Sequence, residues 1–121
     1  MEIINLEGTE ETPKVILDKD NGIFEISGRS LPEDVRTFYQ QVLDWLDKYA
    51  AAPNPETKFT FKLEYFNTAS SKVILDVLTK LEGISGAKVI WYHHDDDEDM
   101  EEAGKEFQDI VDGLPFEFKT Y

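Results

Sequence analysis

Residues 57–66 read TKFTFKLEYF. In an extended chain Phe59, Phe61, Leu63 and Tyr65 fall on one side, and Thr60, Lys62 and Glu64 on the other. Strict alternation of this kind describes a strand with one buried face and one wetter face. A strand covered by helices on both sides would be apolar throughout. This stretch therefore restricts the fold to a sheet with helices on one side only.

The flanking segments supply the rest of such a fold. PKVILDKDNGIFEISG (13–28) has two short apolar runs around Asn21-Gly22, a pair suited to a tight turn, and reads as a hairpin. SLPED (30–34) opens a helix: Ser30 and Glu33 have capping-box spacing, and Pro32 lies in the first turn. Val35, Phe38, Tyr39, Val42, Leu46 and Tyr49 then form one apolar stripe, which AAPNPE (51–56) breaks. Beyond the alternating strand, Val73, Ile74, Val77, Leu78 and Leu81 define a second helix that ends at Gly83 or Gly86. AKVIWYHH (87–94) is a further strand. DDDEDMEEAGKEFQDIVDG (95–113) holds a third helix with Met100, Ala103, Phe107, Ile110 and Val111 inward, and LPFEFKTY (114–121) a last short strand.

The order is β-β-α-β-α-β-α-β. Its β-α-β-α-β run should be right-handed and place its strands parallel, with the hairpin adding an antiparallel member. The expected fold is α/β: a mixed five-stranded sheet with three helices packed on one face. One domain spans residues 1–121, with the acidic residues 1–12 as a loose N-terminal segment.

Function classes narrow on charge and composition. The 121 residues, 40% hydrophobic, suffice for a core without disulfides or metals. No cysteine is present, which removes disulfides, thiolate catalysis and cysteine-bound zinc. The net charge of −14 repels phosphate backbones and anionic lipid, so neither nucleic acid nor membrane is an expected partner, while a basic protein surface is attracted. MEIINLEGTEETPK has no basic n-region or apolar h-region, and no run approaches the roughly 20 apolar residues of a membrane span. The expected location is the cytoplasm. No Gly-rich phosphate loop, nucleophile elbow or Cys-His pair occurs, so no enzyme and no cofactor is expected.

The chemistry-bearing stretch is FNTASS (66–71), where strand hands over to helix. A helix start presents outward N–H groups and favours negative charge. Asn67 or Thr68 can cap it, and Ser70 or Ser71 can take the remaining donors. Capping alone accounts for all four residues. Phosphorylation of one of the hydroxyls is the functional reading, because a phosphate adds about −1.5 to −2 charges and three acceptor oxygens where a helix tolerates them and a docking partner would not.

A chain of this order, with hydroxyls at this seam, resembles the STAS domain, which includes the anti-sigma-factor antagonists. Their usual Asp-Ser-Ser-Gly is replaced here by Asn67-Thr68-Ala69-Ser70, which argues against an ordinary antagonist. The chain is more similar to the SiaC-like family of bacterial regulatory phosphoproteins. The likeness rests on Gly8, Thr9, Thr12 and Pro13, on Tyr39, Leu43, Asp44 and Trp45, and above all on Leu63, Tyr65, Phe66, Asn67, Thr68, Ser70 and Ser71. It continues through Trp91-Tyr92 and Leu114-Pro115-Phe116.

The resemblance implies a non-enzymatic partner-switching module with Thr68 as the phosphosite. It implies a cognate kinase with a histidine-kinase-like ATPase domain and a PP2C-like phosphatase. It also implies a diguanylate cyclase that the unphosphorylated form binds and stimulates in biofilm control. Ser70 and Ser71 are expected as cap or recognition residues.

Two other features invite function. His93 and His94 precede a run of acids and suit a divalent-metal enzyme by residue type. Adjacent residues at a strand end point apart, however, and acids in a first helical turn complement the helix dipole. Phe66 lies on the opposite parity from Phe59, Phe61, Leu63 and Tyr65, directly before the seam. It is either an exposed anchor for a partner or a residue covered by a loop or the N-terminal segment.

Overall fold

The structure, a computed structural model, describes residues 1–121. The elements are β1 (Ile4–Leu6), β2 (Lys14–Asp18), β3 (Ile23–Ser30), α1 (Val35–Ala50), β4 (Thr57–Phe66), α2 (Thr68–Glu82), β5 (Ala87–His93), α3 (Glu98–Ile110) and β6 (Phe116–Thr120). All strands join one sheet in chain order, β1-β2-β3-β4-β5-β6. β1, β2 and β3 pair antiparallel; β3 through β6 run parallel.

The helices cover one face, as the alternation of β4 requires. Phe24 of β3 meets Trp45 and Tyr49 of α1, and Trp91 of β5 meets Phe107 of α3. Phe59, Phe61 and Leu63 of β4 point into the same core, together with Val73, Ile74, Val77 and Leu78 of α2.

The sheet has six strands, not the expected five. The additional strand, β1, lies in the segment expected to be loose. Ile4 and Leu6 stand opposite Leu17 and Val15, and the indole N–H of Trp45 donates to the Glu2 carbonyl at 2.7 Å. Three residues are too few to display a period, so the sequence pattern could not reveal it. The hairpin differs in detail as well. Asp18 pairs with Ile23, leaving a four-residue loop, and the Asp18 carboxylate accepts from the backbone and side-chain amides of Asn21.

Ser30 does not cap α1. Asp34 does, accepting from the Thr37 N–H at 3.2 Å. Ser30 instead ends β3 and is fully buried. Ile110, expected inward, is 61% exposed. α3 is turned so that Met100, Gly104 and Phe107 face the sheet. Gly104 lies so close that a Cβ there would be 2.6 Å from the Trp91 indole.

Candidate functional site

The seam between β4 and α2 begins with a register shift. Gly28 pairs with Leu63 and Arg29 with Tyr65, so Glu64 is an extra residue in β4. Gly28 has a φ of 92°, a conformation that side-chain-bearing residues avoid, and it allows β3 to meet the bulged strand. The bulge inverts the parity beyond it. Tyr65, expected in the core, is 48% exposed and lies under the Arg29 guanidinium, 5.6 Å from its ring centroid. Phe66 turns inward instead and rests against Phe107 of α3, with 6.1 Å between ring centroids. It is half-buried, covered by α3 and not by the N-terminal segment.

Asn67 then caps α2. Its extended backbone precedes the first helical turn, and its side-chain oxygen accepts from the Ser70 N–H at 2.9 Å. The Asn67 carbonyl accepts from the Ser71 N–H at 3.0 Å. Thr68 is the first helical residue and is exposed, as is Ala69. Their N–H groups, among the unpaired donors of a helix start, point outward.

The three hydroxyls of the seam have distinct positions. Ser70 is fully buried and donates to the Ser30 carbonyl at 2.8 Å. Ser30 Oγ donates to Ser70 Oγ at 2.9 Å, and lies 2.6 Å from the Tyr39 hydroxyl. Since Ser30 has spent its one proton on Ser70, Tyr39 must donate to Ser30. The proton order is therefore Tyr39 to Ser30 to Ser70 to the Ser30 carbonyl, which also accepts from the Asn67 N–H at 3.2 Å. Burial pushes the Tyr39 hydroxyl up to about 12, against the opposing pull of the Ser30 bond. Ser71 is half-buried, and Thr68 alone stands open to solvent.

Thr68, Ser71, Lys72 and Leu75 fall on one face of α2 by their spacing. Ser71, Lys72 and Leu75 line a cleft of about 220 Å³ whose other wall is Ala103, Glu106, Phe107 and Ile110 of α3, with Phe66 between. A second hollow of about 280 Å³ shares Phe66 and Ala103 and extends past Tyr65 to Asp97 and Asp99. The two hollows adjoin at Phe66 and Ala103 and are together termed the trough; Thr68 lies on the α2 face that carries Ser71, Lys72 and Leu75.

The segment 8–13 lies beside this seam. Thr9 Oγ1 accepts from the N–H groups of Glu11 and Thr12, folding the loop on itself. The Glu11 carbonyl accepts from the Leu31 N–H, and the Glu10 carbonyl from Arg29 Nε.

His93 and His94 do not converge. His93 is buried with Nδ1 2.8 Å from the His94 carbonyl, whereas His94 is exposed and packs against Tyr121 with 4.0 Å between ring centroids and the rings tilted by 39°. No three His, Asp or Glu side chains come together to hold a metal ion. Asp97 caps α3, accepting from the Met100 N–H at 3.0 Å, and Glu98, Asp99 and Glu101 occupy its first turn. No helix is long and apolar enough to cross a membrane.

The family model described as "SiaC family regulatory phosphoprotein" matches residues 6–121. The chain belongs to the SiaC family. Its fold agrees with that of SiaC of Pseudomonas aeruginosa at a TM-score of 0.89, with 26% identity over the whole of both chains. It is equally similar, at 0.89 and 27% identity over 98% of this chain and 99% of the other, to SiaC in a crystal structure of the diguanylate cyclase SiaD in complex with its activator SiaC. An uncharacterised protein of Pseudomonas aeruginosa strain UCBPP-PA14 is 28% identical, covering 100% of this chain and 98% of its own length.

Sequence reasoning placed Asn67, Thr68, Ser70 and Ser71 together. It missed Ser30 and Tyr39, because Ser30 looked like a cap and Tyr39 like one more apolar position. It also missed Leu75 and Ile110 as walls of the trough.

Proposed function

We propose that this SiaC-family chain is a non-enzymatic, cytoplasmic partner switch. Thr68 is its phosphorylation site, and the phosphate decides whether it docks on and stimulates a diguanylate cyclase. The writer is a cognate kinase with a histidine-kinase-like ATPase domain, and the eraser a PP2C-like phosphatase. The observation that carries this reading is the position of Thr68: the one open hydroxyl of the seam, at the first position of a capped helix, on the α2 face whose Ser71, Lys72 and Leu75 line the trough. The activator role of SiaC toward SiaD supports the choice of partner.

The physical consequence of phosphate follows from that position. Outward N–H groups and the positive end of α2 accept about two negative charges with little cost to the fold. A partner side chain seated in the trough would have to desolvate the same dianion. Only about 1.4 kcal/mol is needed for a tenfold change in affinity. Phe66 then serves as floor, Asn67 and Ser70 as the anchor of the helix start, and Ser71 as part of the wall.

The test is incubation with the cognate kinase and ATP, peptide mass mapping, and a cyclase assay. Phosphate on the peptide containing Thr68, its loss in Thr68→Ala, and loss of cyclase stimulation on phosphorylation are expected. Phosphate elsewhere, or stimulation indifferent to Thr68→Ala and Thr68→Asp, would overturn the reading.

A further inference from the structure

We propose that the uncovered face of the sheet is a second docking surface, for an acidic amphipathic helix of a partner protein. It lies on the opposite side of the sheet from the cleft between α2 and α3 and does not rest on the phosphoswitch reading. The parallel strands β3 to β6 leave bare a face that parallel sheets ordinarily cover with helices. Strand parity puts half of the chain's twelve basic residues on it: Lys14, Arg29, Lys58, Lys62, Lys88 and Lys119. Of the 26 acids, only Asp18, Glu25, Glu64 and Glu117 lie among these outward strand positions. A strongly acidic protein thus carries one basic face.

The bases are ordered. Lys14 pairs with Ser27, Ser27 with Lys62, and Tyr92 with Lys119. The β4–β5 pairing, which reaches Phe61 and Trp91, sets Lys62 beside Tyr92. One row therefore crosses five strands with a lysine on every second strand. At about 4.8 Å per strand the lysines stand about 10 Å apart. Carboxylates at i and i+7 of an α-helix are about 10.5 Å apart, which matches the row.

Of the three lysines in the row, Lys119 pairs with Glu117 at 3.3 Å and the other two have no acidic partner of their own. Neither Lys14 nor Lys62 belongs to a salt bridge, in a chain where acids outnumber bases twofold. Lys62 lies over the rings of Tyr121 and Tyr92 at 4.4 and 5.4 Å. Ile16 in the adjoining row is half-buried and supplies apolar contact, whereas Ile90 in the same row is buried. Nucleic acid is the competing anion, and the net charge of −14 repels it at every distance beyond the row itself.

The probe is a fluorescein-labelled helical peptide with Glu at i, i+7 and i+14 and leucines between, titrated into the full chain by fluorescence polarisation. Binding is expected, with amide shifts confined to β2–β6. Affinity should fall at least tenfold in Lys14→Gln/Lys62→Gln/Lys119→Gln. It should be unchanged in Lys48→Gln/Lys80→Gln/Lys105→Gln, which removes the same charge from the helices. Absence of binding, equal loss in the two triple variants, or tighter binding of a single-stranded oligonucleotide of equal charge would overturn the proposal.

Discussion

Ser70 Oγ donates to the Ser30 carbonyl across 2.8 Å, which bonds the first turn of α2 to the last residue of β3. Both side chains are fully buried, and Tyr39 of α1 closes the chain of hydroxyls. Three elements that meet at the seam are thus held by one directional network, in which each proton has a single destination. Removing one partner leaves another buried and unpaired, which costs more than the bond itself contributes.

Tyr39→Phe should therefore lower stability at neutral pH by about 1 kcal/mol, read from urea denaturation. It should also change the alkaline limb. The folded Tyr39 titrates near 12 and the unfolded side chain near 10, so above pH 10 the unfolded state sheds this proton first. The native advantage is whole below pH 10 and is lost as pH rises toward 12, to the extent of about 2 kcal/mol. Wild type should lose that much more stability than Tyr39→Phe between pH 9 and 12. Parallel slopes in the two proteins would contradict the buried relay.

Asn67→Ala removes the acceptor for the Ser70 N–H and should cost about 1 kcal/mol. Asn67→Asp keeps the acceptor and adds a charge suited to the helix start, so its melting temperature should match or exceed wild type at pH 7. Calorimetry of the two variants checks the pair. A destabilised Asp variant would mean that the side-chain amide has a role beyond the cap.

Gly104→Ala should be costly for so small a change. The new Cβ would sit 2.6 Å from the Trp91 ring and 2.8 Å from Phe118, inside van der Waals contact on two sides. A loss of about 1–3 kcal/mol is expected, with a shift in tryptophan emission as α3 is pushed off the sheet.

Much of this architecture could be read from spacing, and the failures share physical causes. The alternation of Phe59, Phe61 and Leu63 established a sheet buried on one face because period-two burial is a local signal. It failed at Tyr65 because the bulge at Glu64 depends on Gly28 in another strand. Ile110 fits the helical period of α3 but points out, because Gly104 lets the helix approach Trp91 in a different rotation. Asn67 declared its cap through residue type, while Ser30 imitated one: its real partners, Tyr39 and Ser70, are nine and forty residues away. The walls of the trough come from α2 and α3 at once, and no single stretch contains both.

The trough can be separated from the phosphosite by substitution. Ile110→Asp alters an exposed side chain, so the fold should survive with its melting temperature nearly unchanged. Leu75→Asp, on the opposite wall, is half-buried and serves as the second variant. Each should weaken association with the cyclase at least tenfold, since a carboxylate in an apolar contact must be desolvated without a partner. Neither residue lies in the first turn of α2, so both variants should still accept phosphate on Thr68 from the kinase at the wild-type rate. Binding assays against the cyclase, run beside phosphorylation time courses, separate the two effects. Full cyclase stimulation by Ile110→Asp and Leu75→Asp would place the docking surface elsewhere, and loss of phosphorylation in both would mean that the kinase reads the trough as well.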